Sequence, residues 1–286
     1  PLAIIFGEKS ALYWNEHPSH IAPYSTNSGT LRNLVRASIR SLLFWGARRC
    51  KVVMPIGEAH RDDLIRHRCC PEKIKIIYMG FSDEFIPQVI LTATPPTKAT
   101  PLNLIYVGTI SKERGRDVML EGLALATKED PALPIHLTLV GANKQQLEYC
   151  HKRISDLDLR NHVTVIGRVP GKTIPDFLSK ADFRICLWED LPWHRYNPPT
   201  KLFEYLVAGL PVLASDIRTH TQYIQNRDNG IIFNYSPAGF SKAIAEITST
   251  QERLSEMKSS ALTSGKQYLW SRIEPEFMRA MHEVSK

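Results

Sequence analysis

The sequence lacks the features of membrane-spanning, disulfide-stabilised and zinc-binding proteins. No run of residues approaches the roughly 18 apolar residues that a membrane-spanning helix needs, and residues 1–7 lack the basic start of a secretory signal. The five cysteines are odd in number and include no C-x-x-C pair. This argues against a disulfide framework or a zinc site and favours a reducing compartment, so the predicted localisation is the cytoplasm.

Motifs of several other enzyme classes are also missing. There is no G-x-G-x-x-G fingerprint for a nicotinamide cofactor, and the ten histidines include no H-E-x-x-H. Residues 167–173 resemble a phosphate-binding P-loop, but three residues separate the glycines where the motif needs four, and Pro170 would remove an N–H from the phosphate cradle. We therefore expect neither a metal site nor a resident cofactor.

The pattern that is present is a regular alternation of strands and helices. With 43% hydrophobic and 23% charged residues, the 286-residue chain has the composition of a soluble globular protein of two domains. Apolar runs predict strands at 103–107, 135–140, 163–166, 183–187, 211–214 and 231–233, each followed by a helical pattern. This alternation predicts an α/β fold with a parallel sheet that is covered on both faces.

A change of composition divides the chain. Residues 88–101 are rich in Thr and Pro and predict a linker. The residues before it form a smaller α/β unit, with strands expected at 2–6, 11–14, 52–55 and 74–78. Because the chain does not begin with Met and enters a strand at once, we expect that the beginning of this first domain is missing. The last of three closing helices is predicted at 270–284.

Three predicted strands end in glycine, at Gly108, Gly141 and Gly167. Glycine allows a tight turn and a close approach of the backbone to a ligand, although it can also simply ease a βα turn. Basic residues such as Arg114 and Arg168 follow two of these glycines and would suit phosphate at a helix start. A solvated basic turn would give the same pattern.

Residues 197–212 are the densest segment. Two prolines precede a helix that places Glu204 in its first turn, and Gly209 ends that helix. A carboxylate there could accept two hydroxyl hydrogen bonds, as from the vicinal diol of a ribose. A helix-start acid without a ligand is the alternative, and the chemistry alone does not choose between them.

With these motifs in view, the chain resembles glycosyltransferase family 4 and its relatives of the GT-B fold. The resemblance covers nearly all of residues 50–284 and is most specific at 200–215, with further support at 74–87, at 104–115 and around Trp270. It implies two Rossmann-like domains: an incomplete acceptor-side domain over 1–95 and a donor-binding domain over 96–268. It also implies that a helix at 269–286 packs back on the first domain.

The resemblance further implies a hexosyltransferase-type enzyme that retains anomeric configuration and needs no metal, with a nucleotide-diphosphate sugar as its donor. It assigns Glu204 to the donor ribose, the loop 107–115 to the diphosphate and the turn 167–170 to the base. The implied catalytic residues are His17, Arg114, Lys201 and Glu204. The implied donor contacts are Gly108, Thr109, Arg114, Gly141, Gly167, Arg168, Val169, Asn197, Pro199, Thr200, Lys201, Leu202 and Glu204.

The sequence departs from the family's pattern in the donor segment. Many members carry E-x7-E, but Tyr196 stands where the first glutamate would be, and Thr109 replaces an arginine of the phosphate loop. The first domain is also shorter than usual by about a hundred residues. In what remains of it, His17 resembles the histidine that points into the interdomain cleft, although it could instead only hydrogen-bond within a turn.

A basic helix is predicted in the first domain. Arg32, Arg36 and Arg40 recur every four residues and share one face of the segment 30–51, which also carries Phe44 and Trp45. Such a helix could lie on an anionic membrane at its inner face, which would suit a lipid-linked acceptor. An ordinary helix with a core-facing apolar side and a wet basic side is the alternative, and the pattern slightly favours it.

The net charge of +7 is compatible with phosphorylated ligands, anionic lipid or general solubility. Nucleic acid is not expected as a partner, because no aromatic platform is interleaved with the charge. The expected partners are the nucleotide sugar and a glycan or lipid-linked acceptor. Two alternatives to transfer stay open: a sugar-nucleotide epimerase of the same fold, and an inactive nucleotide-sugar-binding remnant.

Overall fold

The computed structural model describes residues 9–21, 30–83, 101–192 and 194–285. The strand predicted at 2–6 and nearly all of the linker predicted at 88–101 lie outside the described residues. The chain divides into two compact units. Unit 1 takes its described residues from Pro1–Gly80, Asp190–Pro198 and Gln267–Lys286, and unit 2 takes them from Phe81–Glu189 and Pro199–Lys266.

Unit 1 is built on two short parallel strands. Its elements are β1 (Ala11–Trp14), α1 (Pro18–Ile21), α2 (Thr30–Arg49), β2 (Val52–Pro55) and α3 (Glu58–Arg66), followed by a 3₁₀ turn at Pro71–Lys73 and, at its C-terminal end, a 3₁₀ turn at Lys266–Tyr268 and α11 (Trp270–Ser285). The strand predicted at 74–78 is reduced to a single parallel bridge between Ile74 and Val53. The N–H groups of Lys75 and Ile77 still donate to β2, at 2.9 and 2.8 Å, so the segment runs along its edge.

Both faces of this small sheet are covered. Trp14 and Val53 pack with Phe44 of α2 and Leu64 of α3 on one face. On the other face, Val52 and Met54 pack against Ile273 and Ala280 of α11. The prediction that the closing helix packs back on the first domain is therefore confirmed, and the fully buried residues of β2 follow from this double cover.

Unit 2 is a six-stranded parallel sheet with helices on both faces. Its elements are β3 (Leu102–Val107), α4 (Arg116–Glu129), β4 (Ile135–Ala142), α5 (Lys144–Asp156), β5 (Val163–Gly167), α6 (Ile174–Leu178), β6 (Phe183–Cys186), α7 (Thr200–Val207), β7 (Val212–Ser215), α8 (Arg218–Thr221), β8 (Gly230–Phe233), α9 (Pro237–Ser249) and α10 (Leu254–Gly265), with 3₁₀ turns at Lys112–Arg114, Gly171–Thr173 and Gln251–Arg253. The strand order is β5-β4-β3-β6-β7-β8. Counted within the unit, this is the order 3-2-1-4-5-6 of Rossmann folds, and the prediction of a Rossmann-like domain with a parallel sheet is confirmed.

The helical pattern that follows the strand predicted at 211–214 corresponds to the short helix α8 (Arg218–Thr221), and the residues after it form a loop. Asn229 fixes that loop, since its side chain accepts from the Gln225 N–H at 2.7 Å and donates to the Tyr223 carbonyl at 3.1 Å. The segment Asp190–Pro198, which the predicted boundary at 96–268 includes in the second domain, belongs by its contacts to unit 1.

Candidate functional site

The strand order of unit 2 reverses between β3 and β6. In open parallel sheets, ligands bind beyond the carboxyl ends of the strands at such a switch point. Gly108 follows β3, Arg114 lies in the 3₁₀ turn after it, and α7 brings Lys201 and Glu204 to the same edge. We call these four residues the donor-side cluster.

Two glycines allow the backbone to approach closely at this edge. Gly108 and Gly141 have φ values of +148° and +115°, which favour glycine. A Cβ on Gly141 would lie 2.5 Å from the carbonyl oxygen of Gly108, and a Cβ on Gly108 would clash with the Lys201 Nζ. That ammonium donates to the carbonyl of Val107, the last residue of β3. Gly108 therefore makes room for the lysine at the end of the strand, and Gly141 makes room for the backbone of Gly108.

Lys201 is exposed as a residue, but its ammonium group lies against protein. Burial of the ammonium lowers the pKa of Lys201, Arg114 lowers it further, and the negative charge of Glu204 opposes the change. The two cations are thus close enough to repel each other, although Glu204 acts on Lys201 more strongly than Arg114 does. An anionic ligand here would be attracted by both cations.

Arg114 contributes a second cation. Its half-buried guanidinium lies 5.0 Å from the ring centroid of Trp188, which follows β6. The neighbouring Arg116 differs, because it donates to Asp117 at 2.9 and 3.1 Å and lies 3.5 Å from the Tyr149 ring. Arg116 is paired within the fold, whereas among the described residues Arg114 contacts a ring and no carboxylate, so it can bind a phosphate in addition.

Glu204 is half-buried between these cations and the sheet. Burial raises the pKa of its carboxyl, while Arg184 and then Lys201 act in the opposite direction. No hydrogen bond or ion pair from another described residue reaches the carboxylate. Its two oxygens are therefore available to accept hydrogen bonds from a ligand.

The other residues of unit 2 predicted to contact the donor lie in varied surroundings. Leu202 is fully buried in the core, and buried Pro199 precedes the first residue of α7, Thr200. Thr109 is exposed, with its carbonyl accepting from the Tyr106 hydroxyl at 3.0 Å. In the turn after β5, Arg168 is exposed, Gly167 is half-buried, and Val169 packs on the core. Leu202 could thus act only through its backbone or by supporting its neighbours.

His17 lies in unit 1 and both of its ring nitrogens are occupied. Nε2 is 2.8 Å from the Asp63 carboxylate, and Nδ1 accepts from the Ser19 N–H at 3.1 Å. Burial lowers the pKa of His17, against the opposing effect of Asp63. The geometry therefore fits a neutral imidazole whose Nε2–H donates to a carboxylate, and the predicted catalytic role of His17 stays a prediction.

Asn197 also lies in unit 1, beside His17. Its Oδ1 accepts from His60 Nε2 at 2.6 Å and from the His17 N–H at 3.1 Å, and its Nδ2 donates to Glu16 at 3.0 Å. The Tyr196 ring stacks on the His17 ring with centroids 3.7 Å apart. Burial lowers the pKa of His60 to about 4. We call His17, His60, Asp63 and Asn197 the histidine cluster. Its groups mainly satisfy one another, and the donor contact predicted for Asn197 stays a prediction.

A family model for group 1 glycosyl transferases matches residues 93–263, which is more than half of the chain. The chain belongs to this family. The match includes the whole of the donor-side cluster, so the resemblance found at 104–115 and 200–215 reflects membership of the group.

Two relatives illustrate the family at the level of sequence. The amylovoran biosynthesis glycosyltransferase AmsK of Erwinia amylovora is 24% identical over 198 residues, covering 69% of this chain and 46% of its own length. Spore coat protein SA of Bacillus subtilis is 24% identical over 180 residues, covering 59% of this chain and 46% of its own length. The chain thus spans about half the length of these relatives.

A solved structure extends the likeness beyond the family match. The structure of Anabaena HepE in complex with UDP aligns with a TM-score of 0.71 and 17% identity, covering 95% of this chain and 71% of HepE. At that identity the likeness shows the fold alone, which is of the GT-B type. The aligned part of this chain includes both units.

One charged residue near the site escapes the sequence-based prediction. Arg184 lies in β6 and is fully buried, with its guanidinium 4.5 Å from the ring centroid of Tyr205. The available signal is a single arginine inside the apolar run 183–187. Charged residues are almost never fully buried without a partner, so such an arginine marks either a helix misread as a strand or a special site.

The described parts of the chain hold no cluster of three or more His, Cys, Asp or Glu side chains that could bind a metal ion. Among the same residues, none of the helices combines the length and the apolar character needed to cross a bilayer. All five cysteines are free thiols, and Cys70 is the exposed one.

Proposed function

We propose that this chain binds a nucleotide-diphosphate sugar through the donor-side cluster and transfers its sugar, of the hexose type, to a hydroxyl acceptor. The observation that carries the proposal is the half-buried carboxylate of Glu204, which no other described residue pairs with, beside two cations at the switch point of a Rossmann sheet. The family membership supports glycosyl transfer, and the UDP bound by the structurally similar HepE supports a nucleotide donor.

In this proposal Glu204 accepts hydrogen bonds from both hydroxyls of the donor ribose. Lys201 and Arg114 contact the diphosphate, together with N–H groups of the loop after Gly108 and of the start of α7 at Thr200. The backbone of the turn 167–170 contacts the base. Each element starts from the carboxyl end of a strand, so a nucleotide could meet all three at one edge.

The chemical step follows from where charge develops. The bond between the sugar C1 and the β-phosphate oxygen breaks, and a bond between C1 and the acceptor oxygen forms on the same face of the ring, so configuration is retained. The acceptor proton passes to the departing phosphate oxygen. Arg114 and Lys201 stabilise the charge of the leaving diphosphate, in the role that a metal ion plays elsewhere. The proposal therefore includes no metal.

Calorimetric titration of the full chain with UDP-, GDP- and ADP-glucose tests donor binding. We expect micromolar to millimolar binding of one of them, and about tenfold weaker binding for Lys201→Met or Arg114→Met, which corresponds to about 1.4 kcal/mol. Lys180→Met, an exposed lysine before β6, is the matched control and should bind like the parent. Unchanged affinity in both cluster variants would contradict the proposal.

Product analysis separates transfer from the alternatives. Incubation of the donor with a glycan or lipid-linked acceptor should release nucleoside diphosphate at the same rate with and without EDTA. Conversion of the nucleotide sugar into its epimer would identify an epimerase. Binding without any turnover would identify an inactive nucleotide-sugar-binding protein.

The acceptor is proposed to lie at the cytoplasmic face of a membrane, because of the surface of α2. Its exposed side carries an apolar stripe, with Leu31 75% and Leu42 57% exposed. The other stripe residues are Leu34, Val35 and Ile39. Arg32 flanks the stripe as an exposed cation, whereas Arg36 and Arg40 are half-buried. The helix thus packs Phe44 into the core, as an ordinary helix would, and also carries apolar side chains on its outer side, which is typical of helices that enter a lipid interface.

Sedimentation with vesicles tests this surface. We expect the full chain to sediment with vesicles of phosphatidylserine and phosphatidylcholine, and Leu34→Ser/Leu42→Ser to lose most of that binding. The charge-reversed Arg32→Glu should bind more weakly, because anionic lipid attracts a basic residue near its surface. If both variants sediment like the parent, α2 does not contact the membrane.

A further inference from the structure

We propose that Arg184 is a positioning residue for Glu204, a buried cation beneath α7 that fixes the carboxylate in its ionised, ligand-ready state. This inference rests on the proposed role of Glu204 in donor binding. Arg184 is fully buried, so it does not touch the donor itself and is not a catalytic residue.

The position of Arg184 in the fold places it under the candidate site. Its strand, β6, lies next to β3, where the sheet order reverses, and Arg184 is in register with Ile105 of β3 and Val212 of β7. The flanking Phe183 and Ile185 pack into the core on the opposite face of the sheet. Because side chains alternate along a strand, Arg184 projects toward α7, as its contact with Tyr205 demonstrates.

The surroundings of the guanidinium do not compensate the free energy of burying its charge. Its three nitrogens are buried and none has a hydrogen bond of good geometry to a described residue. The guanidinium lies over the Tyr205 ring, 4.5 Å from its centroid, and Tyr205 favours the charged form only in part against burial. Burying a cation without an ion pair or hydrogen bonds costs free energy, and an apolar side chain of similar volume would usually be more stable. A residue that costs stability at the edge of a candidate site points to function.

Glu204 is the residue that benefits. It precedes Tyr205 in α7, and Arg184 is the charge that acts most strongly on it. Burial raises the pKa of Glu204, and Arg184 opposes that rise more than Lys201 does. Reciprocally, burial lowers the pKa of Arg184 to about 10, so it remains cationic at neutral pH. A protonated carboxyl would accept fewer hydrogen bonds from a ribose diol, so the buried cation favours binding.

The other titratable groups around this pair are neutral or paired. Burial raises the pKa of Tyr205 well above its ordinary value of 10, so its phenol stays neutral beside Arg184. Cys186 faces the same side of β6, and burial raises the pKa of its thiol to about 12, so it stays neutral. Arg114 affects the pKa of Lys201, whereas the cations that affect the pKa of Glu204 are Arg184 and Lys201. On α10, which packs against α7, Lys258 is paired with Asp182 at 3.0 Å. Arg184 and Lys201 are thus the cations that set the charge of Glu204.

The test is the pH dependence of donor binding by the full chain with Arg184→Met. The probe is UDP-glucose, or GDP- or ADP-glucose if that binds more tightly, because these donors lack the terminal phosphate that titrates near pH 6. Between pH 5 and 8 we expect the midpoint at which affinity falls to move up by about one pH unit or more. At a pH below both midpoints, Arg184→Met should bind the donor about tenfold more weakly than the parent does. The melting temperature should stay equal or rise, because a buried unpaired cation is removed.

Conservative and control variants distinguish positioning from packing. Arg184→Lys keeps the cation but loses the planar stack on Tyr205, and its midpoint should return close to that of the parent. Arg153→Met removes a guanidinium that pairs with Glu121 at 2.6 Å on the surface, and it should leave the midpoint unchanged. If Arg184→Met does not fold, Arg184→Gln tests the same shift. A parental midpoint in the neutral variant would overturn the inference.

Glu204→Gln separates this inference from the proposed function. Glutamine does not titrate, so adding Arg184→Met to Glu204→Gln should cause no further shift of the midpoint. If Glu204→Gln alone binds the donor as well as the parent does, the proposed role of Glu204 fails. If it binds weakly while Arg184→Met keeps the parental pH profile, only the role of Arg184 fails.

Discussion

The histidine cluster of unit 1 and the donor-side cluster of unit 2 use polar groups in opposite ways. His17 binds Asp63 and Ser19, and Asn197 bonds to the backbone of His17 and to the side chains of Glu16 and His60. In the donor-side cluster, Glu204 has no partner among the described residues, and Lys201 reaches only a backbone carbonyl. Satisfied buried groups stabilise a fold, whereas unsatisfied ones at a sheet edge are candidates to bind a ligand.

This comparison predicts that the histidine cluster controls stability and the donor-side cluster controls affinity. The largest expected effect is that of Asp63→Ala, which should lower the free energy of unfolding by about 3 kcal/mol because it leaves the buried His17 ring without its carboxylate. Urea unfolding measures the loss. UDP-glucose affinity of the folded variant should stay within about twofold of the parent value, which is roughly 0.4 kcal/mol.

Asp62→Ala is the matched control one residue away. Asp62 pairs with Arg61 at 2.8 Å, with side chains 33% and 41% exposed, and such surface pairs contribute at most about 1 kcal/mol. Equal losses for the two aspartates would mean that the histidine cluster does not stabilise unit 1 in the way described.

The second largest effect is a pH dependence of stability from His60. Its pKa in the folded chain is about 4, below the ordinary value of 6.5, so the unfolded chain binds more protons between those two values. The contribution of His60 to stability is therefore fully present above pH 6.5 and is lost as the pH falls toward 4. From pH 7 to 5 the loss attributable to His60 is about 2 kcal/mol. His60→Gln, which can still donate to Asn197, should remove about that much of the pH dependence in urea unfolding. An unaltered pH slope would contradict the assignment.

A smaller effect on stability, combined with a loss of affinity, is expected for Gly108→Ala. Its φ of +148° is strained for alanine, at about 1–2 kcal/mol, and the new Cβ would displace the Lys201 ammonium. Thermal unfolding and UDP-glucose titration should both change. Gly171→Ala is the control, because a Cβ there meets no atom within 4 Å and its φ is not positive. If Gly108→Ala binds UDP-glucose as tightly as the parent, Gly108 is not needed to position the Lys201 ammonium for the donor.

Much of unit 2 is predictable because its signals are local. The strands predicted at 103–107, 135–140 and 163–166 lie within two residues of β3, β4 and β5. Apolar runs between helical patterns report burial on both faces of a parallel sheet, and that burial is what defines the strands. The approach of Gly108, Lys201 and Glu204 follows as well, because the carboxyl ends of parallel strands share one edge.

What escapes prediction depends on contacts between distant segments. Asn197 stands two residues before Pro199 in sequence, yet it belongs to unit 1 through bonds to His17 and His60, which lie 180 and 137 residues away. The burial of Arg184 depends on α7 closing over β6, and a single arginine in an apolar run does not reveal its neighbours. The outward apolar stripe of α2 likewise depends on which side meets the core, and the spacing of Arg32, Arg36 and Arg40 does not report that.

The most direct measurement compares UDP with 2′-deoxy-UDP in calorimetric titrations of the parent chain and of Glu204→Gln. If the Glu204 carboxylate holds the ribose diol, the parent should bind UDP about tenfold or more tightly than the deoxy analogue, since a charged hydrogen bond contributes about 1.5–3 kcal/mol. Glu204→Gln should lose most of that preference while keeping the parental melting temperature. An undiminished preference for the ribose in Glu204→Gln would contradict the assignment of Glu204 to the donor site.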